Sequence, residues 1–133
     1  MKAVFADTSF LFAVVIPDDV WHLMAVEAGE IHGTRILLTE FVLLELGNTM
    51  RRGLLRSLYL NLVRAMRNDP SYEIVPASSA LIQQGMELFA KRPDKEWSLT
   101  DCISFVVMRN QGLTDALATD KHFEQAGFRI LLK

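Results

Sequence analysis

Short apolar runs alternate with longer helical patterns along this 133-residue sequence, and this alternation constrains the fold more than any other feature. The apolar runs predict strands at about 2–6, 35–38, 73–75, 115–119 and 128–132. Helical patterns occupy about 9–15, 20–32, 40–50, 53–68, 78–91 and 98–111, with a short one at 121–126. Strands that are nearly all apolar and alternate with helices predict a parallel sheet covered by helices on both faces.

The composition is typical of one globular domain. Hydrophobic residues make up 50% of the chain and no stretch resembles a linker, so we expect a single domain over residues 1–133. Cys102 is the only cysteine, which excludes an internal disulfide and a cysteine-based zinc cluster. The N-terminal segment loosely resembles a signal peptide, but Asp7 interrupts its apolar stretch. We therefore expect a soluble, cytoplasmic protein without a transmembrane segment.

Four acidic residues lie where apolar strands end or within helices that follow them. Asp7 closes the first predicted strand and Asp120 follows the fourth. Ligands of parallel sheets bind at the carboxyl ends of the strands, where the strand order reverses. If the first and fourth strands are neighbours, these two acids face each other across that crevice. Glu45 interrupts the apolar series of one helix, and Asp101 lies in the first turn of another.

Each of these positions also has a purely structural interpretation. Asp7 and Asp120 precede helical patterns and are suited to cap them. Ser98 and Asp101 have the spacing of a capping box, with the acid at a position that the helix dipole favours. Because local chemistry alone favours these interpretations, a functional interpretation depends on convergence of the four acids.

Converging carboxylates would repel one another, and some would take up protons. One or two Mg²⁺ or Mn²⁺ ions would remove that repulsion, since hard divalent cations prefer oxygen ligands. Such a site can activate water and neutralise charge on a phosphoryl group, as in metal-dependent nucleases. The histidines lack the spacing of a metal-binding motif and are interpreted as structural; they are His22, His32 and His122.

A basic segment interrupts an otherwise slightly acidic chain. The formal charge of −2 gives no overall indication of nucleic-acid binding. Residues 46–68 nevertheless contain no acid and five arginines, namely Arg51, Arg52, Arg56, Arg64 and Arg67. Arg52 and Arg56 are spaced to share one side of a helix, which would be a solvated surface or, beside an acidic site, a phosphate-binding face. In the structural interpretation of Glu45, this residue is a partly exposed helix glutamate that forms an ion pair with Arg52.

The sequence resembles PIN-domain proteins of the VapC toxin type. The similar segments are Asp7-Thr8-Ser9-Phe10-Leu11, Leu43-Leu44-Glu45-Leu46, Ser98-Leu99-Thr100-Asp101-Cys102-Ile103-Ser104-Phe105 and Ala118-Thr119-Asp120-Lys121-His122-Phe123. The resemblance implies an α/β fold, a PIN-like three-layer sandwich whose central parallel five-stranded sheet has the order 3-2-1-4-5 and is flanked by helices. It implies a Mg²⁺- or Mn²⁺-dependent endoribonuclease that hydrolyses RNA phosphodiester bonds as the toxin of a toxin–antitoxin pair.

The same resemblance assigns roles to the four acids. Asp7 and Asp101 would be the principal metal ligands, and Glu45 and Asp120 would complete the catalytic, metal-binding site. It also implies a homodimer and inhibition by a cognate antitoxin protein.

Several alternatives stay open at the level of sequence. The resemblance implies that Ser9 or Thr119 supplies a hydroxyl that orients a ligand or water, and Asp115 either joins the site or only begins a strand. A housekeeping RNA-processing nuclease and a catalytically silent module that binds RNA or protein fit the same pattern. A receiver-like phosphoacceptor domain fits poorly, because no pair of adjacent acids follows the first strand.

Overall fold

A computed structural model describes residues 3–133 and contains a central sheet with helices on both faces. The strands are β1 (Val4–Ala6), β2 (Ile36–Thr39), β3 (Tyr72–Val75), β4 (Asp115–Leu117) and β5 (Arg129–Ile130). The helices are α1 (Thr8–Val15), α2 (His22–His32), α3 (Glu40–Thr49), α4 (Leu54–Arg67), α5 (Ser79–Lys91), α6 (Leu99–Gln111) and α7 (Lys121–Gln125).

The five strands form one parallel sheet in the order β3-β2-β1-β4-β5. The central strand β1 pairs with β2 on one side, where Val4 lies opposite Ile36, and with β4 on the other, where Phe5 lies opposite Ala116. The predicted strand order is therefore confirmed. The expected adjacency of the first and fourth strands is confirmed as well, and it places the reversal of strand order at the carboxyl end of β1.

The core lies on both faces of the sheet, which explains why β1 and β2 are apolar throughout. Every residue of β1 is buried, because helices cover each side of it. On one side, Phe105 of α6 meets Phe123 of α7 edge to face, with ring centroids 5.0 Å apart. Phe123 in turn lies 6.2 Å from Phe5 of β1. This aromatic column ties the helices that follow β3 and β4 to the centre of the sheet.

Helices α5 and α6 pack closely because a glycine stands at their contact. A Cβ atom added at Gly85 would lie 2.4 Å from Cγ1 of Ile103, well inside van der Waals contact. Any larger side chain at Gly85 would therefore push α5 away from α6. Since α6 carries Asp101, this contact helps to fix one acid relative to the sheet.

The predicted boundaries agree with the structure to within a few residues, with informative differences. The predicted start of the first strand at residue 2 lies outside the described residues. The structure ends β4 at Leu117, two residues earlier than predicted, because the N–H of Thr119 donates to the Ser9 hydroxyl and not to a neighbouring strand. Arg52 precedes α4, whose N-cap is Gly53 at φ 55°, so the prediction that Arg52 and Arg56 share one side of a helix is wrong.

Across residues 3–133, none of the helices combines the length and apolar character that crossing a membrane requires.

Candidate metal centre at the carboxyl edge of the sheet

A cavity of about 480 Å³ lies at the carboxyl edge of the sheet, beside the reversal of strand order. The four acids singled out from the sequence all line it: Asp7, Glu45, Asp101 and Asp120. Asp7 follows β1, Glu45 lies on α3, Asp101 lies in the first turn of α6, and Asp120 precedes α7. The fold therefore brings together four carboxylates that are spread over more than a hundred residues of sequence.

Asp7 is the most buried of the four, with 4% of its surface exposed. It caps α1, and its Oδ2 accepts hydrogen bonds from the backbone N–H of Ser9 at 3.4 Å and from the Ser9 hydroxyl at 2.8 Å. Burial raises the pKa of Asp7 to about 7; the Ser9 hydroxyl opposes this rise, and the charge of Asp101 adds to it. Near neutral pH, this carboxylate is therefore poised between its protonated and ionised forms.

Asp101 forms the capping box that the sequence predicts. Its backbone N–H donates to the Ser98 hydroxyl at 3.0 Å, and its Oδ2 accepts from the Ser98 backbone N–H at 3.1 Å. Burial raises the pKa of Asp101, the Ser98 N–H lowers it, and the neighbouring charge of Asp120 raises it again. Two buried acids of the same site, Asp7 and Asp101, thus both resist ionisation while no cation is bound.

Asp120 caps α7, accepting from the backbone N–H of His122 at 2.9 Å through Oδ1. The imidazole of His122 also lines the cavity, with Nδ1 3.1 Å from Asp101 Oδ2 and 3.3 Å from Asp120 Oδ1. Ligand atoms of Asp101, Asp120 and His122 all lie within 4.8 Å of one another. Asp7 and Glu45 line the same cavity without joining this compact group.

His122 is a site residue that the sequence interpretation missed. Its position two residues after Asp120, at the start of a short predicted helix, is the sequence feature that could have indicated a place near the acids. His22 behaves as expected for a structural histidine, since its Nδ1 contacts the carbonyl oxygen of Ala13 at 2.7 Å.

Glu45 reaches the cavity from the middle of α3 and is partly exposed. Its Oε1 accepts a hydrogen bond from the hydroxyl of Thr8, 37 residues away in sequence, at 2.5 Å. The suggested partner Arg52 makes no ion pair with it in the described structure. The hydrogen bond to Thr8 instead links α3 to the start of α1.

The four carboxylates share one pattern of hydrogen bonding: the bonds that each accepts end on a single oxygen. The second oxygen accepts none from residues 3–133; these atoms are Asp7 Oδ1, Glu45 Oε2, Asp101 Oδ1 and Asp120 Oδ2. None is sealed in the core, because the only fully buried, unpartnered side-chain polar atom of the described chain is Ser104 Oγ. Each acid can therefore serve as a cap or anchor with one oxygen and offer the other to a ligand.

Ser9, Thr119 and Asp115 are also placed by the structure. The Ser9 hydroxyl contacts Asp7, and the backbone N–H of Thr119 donates to that hydroxyl at 3.2 Å. Asp115 begins β4 at the opposite edge of the sheet and pairs with Arg129, with Nη2 and Oδ2 2.7 Å apart. Asp115 thus belongs to the strand start and lies outside the cavity.

The donor set fits a hard divalent cation. Four carboxylates, each with an oxygen that no protein donor occupies, match the oxygen ligands that Mg²⁺ and Mn²⁺ prefer. Burial raises the pKa of Asp7, and a cation bound nearby would favour the ionised form of this carboxylate.

A parallel α/β sheet with an acidic cavity at its reversal point defines a class of domain suited to bind a cation at the carboxyl edge. Within this class, the family model described as the PIN domain matches residues 4–129. The chain belongs to the PIN domain family.

Comparisons with known proteins agree with this assignment. A 23S rRNA-specific endonuclease of Mycobacterium tuberculosis (strain ATCC 25618 / H37Rv), VapC20, is 33% identical over 64 residues, which are 48% of this chain and 49% of that protein. The match thus spans about half the length of the curated relative. The crystal structure of M. tuberculosis VapC20, described as a Sarcin-Ricin loop cleaving toxin, has a TM-score of 0.86 and 26% identity, covering 94% of this chain and 95% of that one.

The fold also recurs in a more distant solved structure, VapBC2 from Rickettsia felis bound to a DNA fragment from its promoter. The TM-score is 0.69 at 11% identity, with 97% of each chain covered.

Proposed function

We propose that this protein, as a single PIN domain, is an endoribonuclease that depends on Mg²⁺ or Mn²⁺ and hydrolyses RNA phosphodiester bonds. One observation carries the proposal: four carboxylates of one cavity each keep an oxygen that accepts no hydrogen bond from the protein. The similarity to VapC20, a protein named as a 23S rRNA-specific endonuclease, supports RNA as the substrate class.

Each acid has a role in this proposal. Asp7 and Asp101 are the principal metal ligands, through Oδ1 of each, and Glu45 and Asp120 complete the site. When bound, the cation would supply an activated water and neutralise charge on the scissile phosphate. The Ser9 hydroxyl holds Asp7 by its other oxygen at 2.8 Å, and Thr8 holds Glu45 in the same way, so both side chains are oriented before any ligand arrives.

A second cavity of about 400 Å³ adjoins the first and offers a path for the RNA backbone. It shares Glu45 and Thr49 with the acidic cavity and is also lined by Phe41 and Arg51. The Arg51 guanidinium could neutralise a phosphate next to the scissile one, and the ring of Phe41 offers a face for a base. The basic segment thus contributes through Arg51, and not through the Arg52–Arg56 pair suggested by the sequence.

We further propose that the nuclease is the toxin of a toxin–antitoxin pair, with a cognate antitoxin protein as partner, and that it acts in the cytoplasm as a homodimer. The support is the similarity to VapC20, described as a toxin, over nearly the whole chain. The proposals of an antitoxin partner and of a homodimer rest on the same similarity.

The test is cleavage of structured ribosomal RNA with Mg²⁺ or Mn²⁺, with and without EDTA. We expect EDTA to abolish cleavage, and Asp7→Asn and Asp101→Asn each to lose about 100-fold or more in rate. Asp18→Asn, at an exposed aspartate outside the cavity, is the control and should cleave like the parent. Full activity of either site variant, or activity in EDTA, would contradict the proposal.

The toxin assignment needs a separate experiment in cells. Induced expression should arrest growth, Asp7→Asn should not, and co-expression of the protein encoded by the adjacent upstream reading frame should restore growth. Cleavage in vitro without growth arrest would point instead to an RNA-processing nuclease.

A further inference from the structure

His122 occupies a position that none of the proposed roles of the four acids accounts for. Its Nδ1 lies between two carboxylates of the cavity, 3.1 Å from Asp101 Oδ2 and 3.3 Å from Asp120 Oδ1. The side chain is 30% exposed, so the ring stands at the wall of the cavity and not in open solvent.

The oxygens that Nδ1 approaches are those that already accept hydrogen bonds from the protein. Asp101 Oδ2 also accepts from the Ser98 backbone N–H, and Asp120 Oδ1 also accepts from the backbone N–H of His122 itself. The oxygens without such bonds, Asp101 Oδ1 and Asp120 Oδ2, are the second atoms of the same carboxylates. The ring is therefore placed on the protein side of both acids.

The electrostatics require a donor at Nδ1. A lone pair there would face two acceptor oxygens, whereas an N–H donates to Asp101 Oδ2 and attracts the nearby Asp120 Oδ1, so the proton is assigned to Nδ1. Asp101 and Asp120 repel each other, as the effect of Asp120 on the pKa of Asp101 indicates. An N–H that donates to Asp101 Oδ2 and lies 3.3 Å from Asp120 Oδ1 offsets that repulsion and limits the separation of the two side chains.

We propose that His122 is a positioning residue: its Nδ1–H donates to Asp101, lies beside Asp120, and holds the second oxygens of both acids in place for the cation. The inference rests on the proposed function, because it presupposes a cation at these acids. It assigns His122 a place beside the metal ligands and not among them. Hydrogen bonds of this kind to ligating carboxylates orient the ligands and tune their affinity for the metal.

Two substitutions at His122 separate the effect of its hydrogen-bond donor from the effect of the space that its side chain fills. His122→Asn retains an N–H one bond from Cγ, where Nδ1 stands, whereas His122→Leu fills similar space without a donor. His32→Leu, which removes a histidine outside the cavity, is the matched control. The measurement is the dissociation constant for Mn²⁺, read from the electron paramagnetic resonance signal of free Mn²⁺.

We expect His122→Leu to weaken Mn²⁺ binding by about 10- to 100-fold. His122→Asn should lose much less affinity for Mn²⁺, and His32→Leu should bind Mn²⁺ as tightly as the parent. Equal affinity of His122→Leu and the parent would overturn the inference, as would an equal loss in the asparagine and leucine variants.

A spectroscopic measurement on the unmodified protein keeps the inference testable if a variant fails to fold. Electron spin echo modulation of bound Mn²⁺ detects a directly coordinated imidazole nitrogen. We expect no such nitrogen, and its detection would make His122 a ligand and overturn the positioning role. Failure of the parent to bind Mn²⁺ at all would overturn both the inference and the proposed function, whereas binding without an effect of His122 would overturn the inference alone.

Discussion

The hydroxyl of Ser9 accepts a hydrogen bond from the backbone N–H of Thr119 at 3.2 Å, across 110 residues of sequence. The same hydroxyl donates to Asp7 Oδ2 at 2.8 Å. One small side chain thus joins the segment after β1 to the segment after β4, the two sides of the acidic cavity. It also supplies the strongest local interaction that favours the ionised form of Asp7.

Ser9→Ala should affect both partners of this hydroxyl. We expect a loss of about 1–3 kcal/mol in the free energy of unfolding, because the N–H of Thr119 loses its acceptor in a partly buried place. The pKa of Asp7 should rise further, which a carboxyl-detected NMR titration would show. Ser79→Ala, in the first turn of α5 and exposed, should leave stability within about 0.5 kcal/mol of the parent. An unchanged Asp7 titration would contradict the role assigned to Ser9.

Asp7→Asn should change how stability depends on pH in the metal-free protein. The pKa of Asp7 is about 7 in the folded state and has its ordinary value near 4 in the unfolded state. Between these values the folded state binds more protons, so the contribution of Asp7 to the free energy of unfolding falls as pH rises from about 4 to 7. Asparagine cannot ionise and remains a good N-cap, so the variant escapes this loss.

Urea denaturation of parent and Asp7→Asn, without metal, measures this difference. The variant should be more stable at pH 8, by at most about 4 kcal/mol, and the gap should close towards pH 4. Asp18→Asn, at an exposed aspartate, should follow the parent at every pH. A constant gap between parent and Asp7→Asn would show that burial does not raise the pKa of Asp7.

Capping and metal binding should separate at the start of α6. Ser98→Ala removes the side-chain cap at a cost of about 1 kcal/mol in stability, but the backbone N–H of residue 98 still donates to Asp101 Oδ2. We therefore expect thermal melting to shift downwards while metal-dependent cleavage persists. Ser78→Ala, which removes the corresponding cap of α5 away from the cavity, should lower stability similarly. Loss of cleavage in Ser98→Ala alone would mean that the cap itself sets the position of Asp101.

Arg51→Ala should weaken RNA binding without changing the chemical step. We expect a higher KM, a nearly unchanged kcat, and a slope of log affinity against log salt that is reduced by about one phosphate contact. The control is Arg64→Ala, at an exposed arginine of α4 that does not line the second cavity. If both variants lost affinity equally, the effect would come from overall charge and not from a path beside Glu45.

The sequence alone predicts the strand order through its family resemblance and the elements through local patterns. Apolar strands, the caps at Asp7 and Asp120, and the capping box at Ser98 are encoded by neighbours within a few residues. The partner of Glu45 could not be predicted, because Thr8 meets it only when α1 packs against α3. The contact between His122 and Asp101 likewise depends on how α6 and α7 pack.

The different roles of the two oxygens of each carboxylate, one accepting protein hydrogen bonds and one accepting none, could not be predicted from the sequence either. The sequence allows Asp7 to cap a helix and hold a ligand at once, but sets a capping role against a metal-binding role for Asp101 and Asp120. The structure shows that capping occupies only one oxygen of each side chain, so the two roles are compatible. Which oxygen remains free depends on side-chain rotation, which no spacing in the sequence encodes.

The central position of β1, between β2 and β4, has a consequence for how the acidic cavity is assembled during folding. One wall of the cavity, which contains Asp120 and His122, follows β4 and lies more than a hundred residues after Asp7 in the sequence. Until β4 pairs with β1, β1 has a neighbour on one side at most, and the cavity is open along the other. The acidic centre is therefore complete only when these two distant parts of the chain have come together.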